Sequence, residues 1–370
     1  MLGGVFCSRL EGTYLSTAWG MAYALQLFQK LTRPSDGRMP TFCGVFCFRM
    51  KVKQSGGLIA MSSSKKKVRI ADAPLPGRSI EGSFDLHMHS TFSDGSKHVD
   101  QLIADAREAG LTGIAITDHD SLSQLSAVRQ ASHEADFPVL AGCEVSTLSH
   151  KTGRKVHILA YGLEATSDGS GPLEKLVAQT LYKRTSCSLW QAWRLIHTGA
   201  EFGGHTLDMD DVLEVGRDST AIYKQHIMEA LTHRDRNDPD YAFVYACLFK
   251  NGGPADRTIT YPTPKEAVRA IREQGGVPVL AHPQQMDSWG IVPGLVKAGL
   301  KGIEAFHPDN DEAAEKQAFK LAHKYGLMVT GGSDYHGKYG AAQSVGTRFV
   351  TPEEAGEPLA ELYRAEQKLH

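Results

Sequence analysis

The sequence has no apolar run long enough to cross a membrane. The apolar segment at residues 18–28 falls far short of a span, and the few residues before it carry too little positive charge for a good signal peptide. Charge of one sign is equally lacking. Lys and Arg number 40 against 42 Asp and Glu, a formal charge of -2, which excludes a strong global attraction for long duplex nucleic acid or membrane and leaves room only for a local basic pocket. The six cysteines, Cys7, Cys43, Cys47, Cys143, Cys187 and Cys247, make neither a tight disulfide framework nor a paired CxxC zinc site. Reduced thiols and a cytoplasmic location are the simplest expectation. A GxSxG elbow, a P-loop and a dinucleotide fingerprint are also absent, so none of these competes for the active site.

What is present is an ordinary globular composition, 41% hydrophobic and 22% charged over 370 residues, enough for one large catalytic domain with an inserted or appended part. Residues 1–82 read as an N-terminal extension: irregular, with the near-repeat GVFCSRL and GVFCFRM, then SGG and SSSKKK. Met61 opens MSSSKKKVRI, so the stretch is either a start placed too far upstream or an accessory segment.

The region 83–163 alternates strand and helix. Apolar residues at 84–88, 111–117, 138–145 and 155–161 read as strands, with helices at 99–110 and 121–135, and the polar turn HKTGR separates the last two strands. Short connections predict a mainly parallel sheet covered by helices. Residues 164–259 break the rhythm and read as a helical insertion, a natural lid or specificity module. The alternation resumes over 260–370, with strands at 277–281, 302–306 and 327–330.

Chemistry gathers where these strands stop. In FDLHMHSTFSDGS, His87 and His89 are two apart on an apolar segment, so in a strand both imidazoles fall on one side and can share a metal. Asp94, His119, Glu144, His157, His282, Asp334 and His336 also lie in or just after strand-like runs. An α/β barrel builds sites in this way. Nine such groups exceed one tetrahedral zinc and suit two or three metals of mixed nitrogen and oxygen ligation, manganese, iron or zinc. Glu144, with two oxygens, is the natural bridge. Asp118 either orients a ligand or caps the helix starting near Ser121.

From HMHSTFSDG through ITDHD, AGCEVS, VHILAYG and VLAHP to GGSDYH, the chain resembles the PHP (polymerase and histidinol phosphatase) superfamily. Within it the likeness is to the branch with a helical insertion between VHILAYG and VLAHP, the nucleoside 3',5'-bisphosphate phosphatases and 5'-to-3' exoribonucleases. The resemblance implies a distorted (β/α)7 TIM-like barrel with a trinuclear site. His87, His89, Glu144 and Asp334 would hold one metal; Glu144 would bridge to a second held by His157 and His282; Asp94, His119 and His336 would surround a third. Manganese is the ion it favours, with iron and zinc as alternatives.

The expected activity is that of a phosphoesterase acting through a metal-activated hydroxide on nucleoside 3',5'-bisphosphates or short 5'-phosphorylated single-stranded RNA. Glu144 is placed in catalysis, with His336 or His226 assisting the leaving group. Arg184, Arg217, Lys224, His226 and His307 are candidate substrate contacts, although a solvated helix face for Arg184 and a satisfied strand end for His307 are competing readings. At YKQHIMEAL the branch more often has Arg-Pro-His-Ile, so Lys224 and Gln225 depart from it, and a lysine offers a point charge where an arginine offers a fork. Histidinol-phosphate phosphatase and a non-catalytic, metal-binding regulatory domain are the rival functions.

Overall fold

The computed structural model describes residues 78–369. The expectations for residues 1–77, including the alternative start at Met61, lie outside the described residues. Strand β1 (Phe84–Met88) leads into helix α1 (Val99–Ala109), whose buried stripe Val99, Leu102, Ile103 and Ala106 recurs at helical spacing. Gly110 ends it in the left-handed region at φ 85. Strand β2 (Gly113–Ile116), α2 (Leu125–Ala135) and β3 (Val139–Ala141) follow. These three strands pair in parallel in the order β1-β2-β3.

The single strand expected over 138–145 is two strands. Gly142 separates β3 from β4 (Cys143–Ser149), and a Cβ there would meet the Ala160 carbonyl oxygen at 2.7 Å, so only glycine allows the chain to pass from one sheet to the next. β4 and β5 (Arg154–Tyr161) form an antiparallel hairpin.

Between β5 and the next long strand the chain is mainly helical. α3 (Pro172–His197) is followed by a small hairpin, β6 (Glu201–Phe202) with β7 (His205–Thr206), then α4 (Met209–Val215), α5 (Lys224–Thr232) and α6 (Pro239–Phe249). This stretch is tied to the site loops by hydrogen bonds: Thr220 N donates to Phe92 O at 2.9 Å, Ser219 Oγ to Ser93 O at 2.7 Å and Tyr223 Oη to His119 O at 3.1 Å.

The sheet then resumes. α7 (Pro264–Glu273) starts on a reciprocal cap in which Thr263 Oγ1 accepts from Glu266 N and Thr263 N donates to Glu266 Oε2 at 2.7 Å. Its buried face, Ala267, Val268 and Ile271, packs into the main core; truncating Ile271 to Ala there would cost about 2–5 kcal/mol. β8 (Val277–Leu280), α8 (Val292–Ala298), β9 (Gly302–Phe306), α9 (Glu312–Tyr325) and β10 (Met328–Gly331) complete the sheet, and two short C-terminal helices, α10 (Pro352–Ala355) and α11 (Glu357–Glu366), follow it.

The strands do not close into a barrel, contrary to the (β/α)7 expectation. They fall into the three-stranded sheet and a five-stranded mixed sheet of order β10-β9-β8-β5-β4, with isolated bridges Met88 to Tyr335 and His119 to Glu144 at the edges. The mixed strand order, in place of the all-parallel one, follows from the connections. The turn between Ser149 and Arg154 is far too short for a crossover helix, so β5 has to run antiparallel to β4, and it pairs antiparallel to β8 as well.

Candidate metal centre

The two sheet edges carry the chemistry. His87 lies in β1 and His89 directly follows it; the segment after β10 runs alongside, with Asp334 N donating to His87 O and His89 N donating to Tyr335 O, both at 2.8 Å. Gly332 makes this approach possible, because a Cβ there would lie 2.4 Å from His87 N. Asp334 and His282 sit in the left-handed region at φ 51 and 25, which non-glycine residues rarely adopt and which surrounding hydrogen bonds must enforce.

Glu144, buried at the start of β4, is the centre. Its Oε1 lies 2.8 Å from His157 Nδ1 and 2.9 Å from His282 Nε2; its Oε2 lies 3.1 Å from His89 Nε2, 3.2 Å from His87 Nε2 and 3.3 Å from His119 Nδ1. One carboxylate is thus ringed by imidazoles from both sheets. Asp334 Oδ1 is 3.4 Å from the Nε2 atoms of both His87 and His89, and Asp94 Oδ1 is 3.5 Å from His336 Nε2. Three sets of side chains could each surround a cation: His87, His89, Glu144 and Asp334; His89, Asp94, His119 and His336; and His119, Glu144 and His157. His282 touches Glu144 without belonging to any of the three.

The donors fit divalent metal. Asp94 Oδ1, His119 Nδ1 and His282 Nδ1 are buried with no hydrogen-bond partner, a cost that a cation would remove for those facing it. Burial works against the Glu144 carboxylate, but the imidazoles of His157, His87 and His119 outweigh it and hold its pKa well below the usual range. Asp94 is likewise lowered to about 2, burial being outweighed by His119, His336 and His89. Burial and the neighbouring imidazoles His89 and His157 hold His119 well below its ordinary value despite Glu144 and Asp94. Against burial, Glu144 and Asp334 hold His87 and His89 above their ordinary values, so without metal their protons balance the ionised carboxylates, and a bound cation would take the place of those protons.

Outer contacts fix these donors. Fully buried Glu304 on β9 accepts from His87 Nδ1 at 3.0 Å and from His282 N at 2.7 Å, which leaves His87 Nε2 facing Glu144. His336 Nδ1 donates to Asp334 O at 2.9 Å, so its Nε2 faces Asp94. Asp118 caps no helix: its Oδ1 accepts from Ser90 N at 2.8 Å and Ser93 Oγ at 2.6 Å, and its Oδ2 from Ser90 Oγ at 2.7 Å, shaping the loop that carries Asp94. His307 Nδ1 accepts from Asp309 N at 3.0 Å, so its proton is on Nε2, 3.3 Å from Asp334 Oδ2. It therefore orients Asp334 as well as lining a recess.

Two recesses flank the cluster. One, of about 240 Å³, is lined by Asp94, His119 and His157 and by the cations Lys155, Arg184, Lys224, Lys250 and Arg257. Arg184 is no solvated face: it is ion-paired with buried Asp120, donates to Ser146 Oγ at 2.9 Å and lies over Tyr223, 4.8 Å from the ring centre. The other recess, of about 260 Å³, is lined by Asp334, His336, His307, Gln225, Arg236 and Gln285 among others.

Two expected contacts lie elsewhere. Arg217 is exposed, paired with Glu214 and Asp218, and lines neither recess. His226 is buried, its Nδ1 accepts from Tyr223 N at 3.3 Å as part of the α5 cap, and burial lowers its pKa to about 4, so it is a poor proton donor. The sequence pattern did not single out Glu304, Asp120, Lys155, Lys250, Arg257 or Gln225 for a role. Glu304 carried one signal, an acid inside an apolar strand, where a charge needs a partner. Nothing local marked the cations.

Residues 85–198 match the model of the PHP domain. A phosphoribosyl 1,2-cyclic phosphate 1,2-diphosphodiesterase of Eggerthella lenta is 45% identical over 71% of this chain and 98% of its own length. The chain belongs to the PHP family. Its PHP-type donor groups form the active site of a metal-dependent hydrolase. A 3',5'-nucleoside bisphosphate phosphatase of Chromobacterium violaceum is 27% identical over 71% of this chain and 90% of its own length. A solved structure from Bifidobacterium adolescentis, assigned as a metal-dependent phosphoesterase, superposes with a TM-score of 0.63 at 26% identity, covering 76% of this PHP chain and 96% of the other.

Proposed function

We propose that this PHP protein cleaves a phosphoester in a small phosphorylated sugar that carries a second phosphoryl group, and that a phosphoribosyl cyclic phosphate is preferred over a nucleoside 3',5'-bisphosphate. The observation that carries this reading is the cationic recess opening directly on His119, His157 and Asp94. A substrate with one phosphate at the donor cluster has a place for a second anion among Lys155, Arg184, Lys224 and Lys250. The recess, about 240 Å³, falls below the roughly 300–1,000 Å³ typical of drug-sized ligands, which suits a sugar phosphate better than an oligonucleotide. The 45% identity to the cyclic phosphate diesterase, against 27% to the bisphosphate phosphatase, supports the same order, as does the Lys224-Gln225 departure from the bisphosphatase pattern.

Divalent cations, manganese in our reading, supply charge to the nonbridging phosphate oxygens and acidify water. The side chains do the rest. Glu144 offers one oxygen to each half of the cluster, Glu304 and His307 hold His87 and Asp334 in place, and Arg184, fixed by Asp120, presents a guanidinium edge to the recess. Residues 164–259 serve as the substrate-side module. His336, whose Nδ1 proton is committed to Asp334 O, acts in this reading as a ligand and not as a proton donor.

The test is a side-by-side assay with Mn2+ followed by 31P NMR, using phosphoribosyl 1,2-cyclic phosphate, adenosine 3',5'-bisphosphate and histidinol phosphate. The expected result is a kcat/KM for the cyclic diester at least about tenfold above the bisphosphate, a difference of ~1.4 kcal/mol, with histidinol phosphate slowest. The reverse order would overturn the substrate assignment; bound metal with no turnover would favour the silent regulatory reading.

A further inference from the structure

Gln225 stands at the second position of α5, where a proline would offer no side-chain donor. Its Nε2 donates to Asp94 Oδ2 at 2.7 Å. Asp94 Oδ1, the other oxygen, is buried without a hydrogen-bond partner and lies 3.5 Å from His336 Nε2 and 4.0 Å from His89 Nδ1. The amide thus occupies one lone-pair face of the carboxylate and leaves the other aimed at the group His89, Asp94, His119 and His336.

The base of this contact is rigid. Tyr223, two residues before Gln225, donates from its hydroxyl to His119 O at 3.1 Å, and Thr220 N donates to Phe92 O at 2.9 Å, so α5 is fastened to both loops that bring Asp94 and His119 to the cluster. An amide is also the right donor chemically. A cation at this position would neutralise Asp94 and compete with a metal, whereas a neutral N–H orients the carboxylate and leaves its full charge available.

We propose that Gln225 is a positioning residue for the cation site at Asp94 and His336, within the group His89, Asp94, His119 and His336, and that its hydrogen bond supports this site more than the two around Glu144, with which the group shares His89 and His119. The proposal rests on reading the cluster as a metal centre. Because Gln225 also lines both recesses, an occupant of either one bears on the side chain that holds Asp94.

The experiment is a Mn2+ titration of the full chain after chelator treatment, with free Mn2+ read by electron paramagnetic resonance, for wild type, Gln225→Met and Gln225→Ala. Gln225→Met keeps the length and removes the donor; the residue is half-buried, so both variants are expected to fold, checked by the melting temperature of the metal-free protein. The expected result is three Mn2+ per wild-type chain, with one of them bound about 10- to 100-fold more weakly in both variants and the other two weakened much less. Three sites of wild-type affinity in Gln225→Met would overturn the proposal and leave the metal centre intact. Uniform weakening of all three would overturn it in favour of a general structural role. A wild-type chain that takes up no Mn2+ would remove the metal centre itself, and the proposal with it.

Discussion

Glu304 binds His87 and His282 at once, accepting the Nδ1 proton of one at 3.0 Å and the backbone N–H of the other at 2.7 Å. The two histidines come from different strands, and β9 lies next to β8, so a single buried carboxylate sets both the tautomer of His87 and the left-handed backbone of His282. Replacing Glu304 by Gln puts an amide N–H against one of two donors. The expected outcome is metal affinity lowered about 10- to 100-fold with the fold retained, measured by Mn2+ titration and circular dichroism.

Glu144→Gln removes the negative charge ringed by five imidazoles. Metal-dependent phosphoester hydrolysis is expected to fall to background, and because the surrounding imidazoles already hold the Glu144 carboxylate ionised without metal, the melting temperature of the metal-free protein is expected to fall as well, with circular dichroism at about 25 °C showing the fold retained. Near-wild-type turnover in Mn2+-replete assays would remove Glu144 from the bridging position.

The cationic recess has its own pH signature. Burial, then repulsion from Lys155 and Lys250, lowers the Lys224 pKa from 10.5 to about 8. Since the ammonium is present below that value and lost above it, KM for a doubly phosphorylated substrate is expected to rise as pH passes through about 8. Burial and repulsion from Arg184 and Lys250 bring Lys155 of the same recess to about 8 as well, so Lys224→Arg should reduce the rise without abolishing it, whereas Lys224→Gln should raise KM below about pH 8 and converge on wild type above it.

Asp120 and Arg184 form an ion pair in which the aspartate is fully buried and Arg184 retains slight exposure. Asp120→Ala leaves the guanidinium without its partner, and the loss of stability is expected to be about 3–5 kcal/mol in urea unfolding. The double variant Asp120→Ala, Arg184→Met should recover part of it. Equal losses in the single and double variants would contradict a coupled pair.

Periodicity was enough to find α1 and the long helix α3, whose buried residues recur at helical spacing, while β1 and β5 were legible as short apolar runs that are buried on consecutive positions. The His, Asp and Glu positions around Glu144 were legible for a related reason: they stand in or just after apolar strand-like runs. Barrel closure was not. It depends on which strand edges meet, and the short HKTGR turn, which forces β5 antiparallel, was present in the sequence but outweighed by the regular alternation around it. His226 and Arg217 misled because a histidine or arginine in a helical stretch looks the same whether it caps a helix, pairs on the surface or faces a cavity. Lys155, Lys250 and Gln225 come together only when α5 and α6 fold over the sheet edge, which no local pattern records.

Whether the imidazoles and carboxylates around Glu144 hold several divalent cations can be seen by anomalous X-ray scattering at the manganese edge, from crystals grown with Mn2+. Anomalous peaks are expected among His87, His89, His119, Glu144, His157 and Asp334, with a further one beside Asp94 and His336. Crystals saturated with Mn2+ that show no peak within this cluster would contradict this expectation.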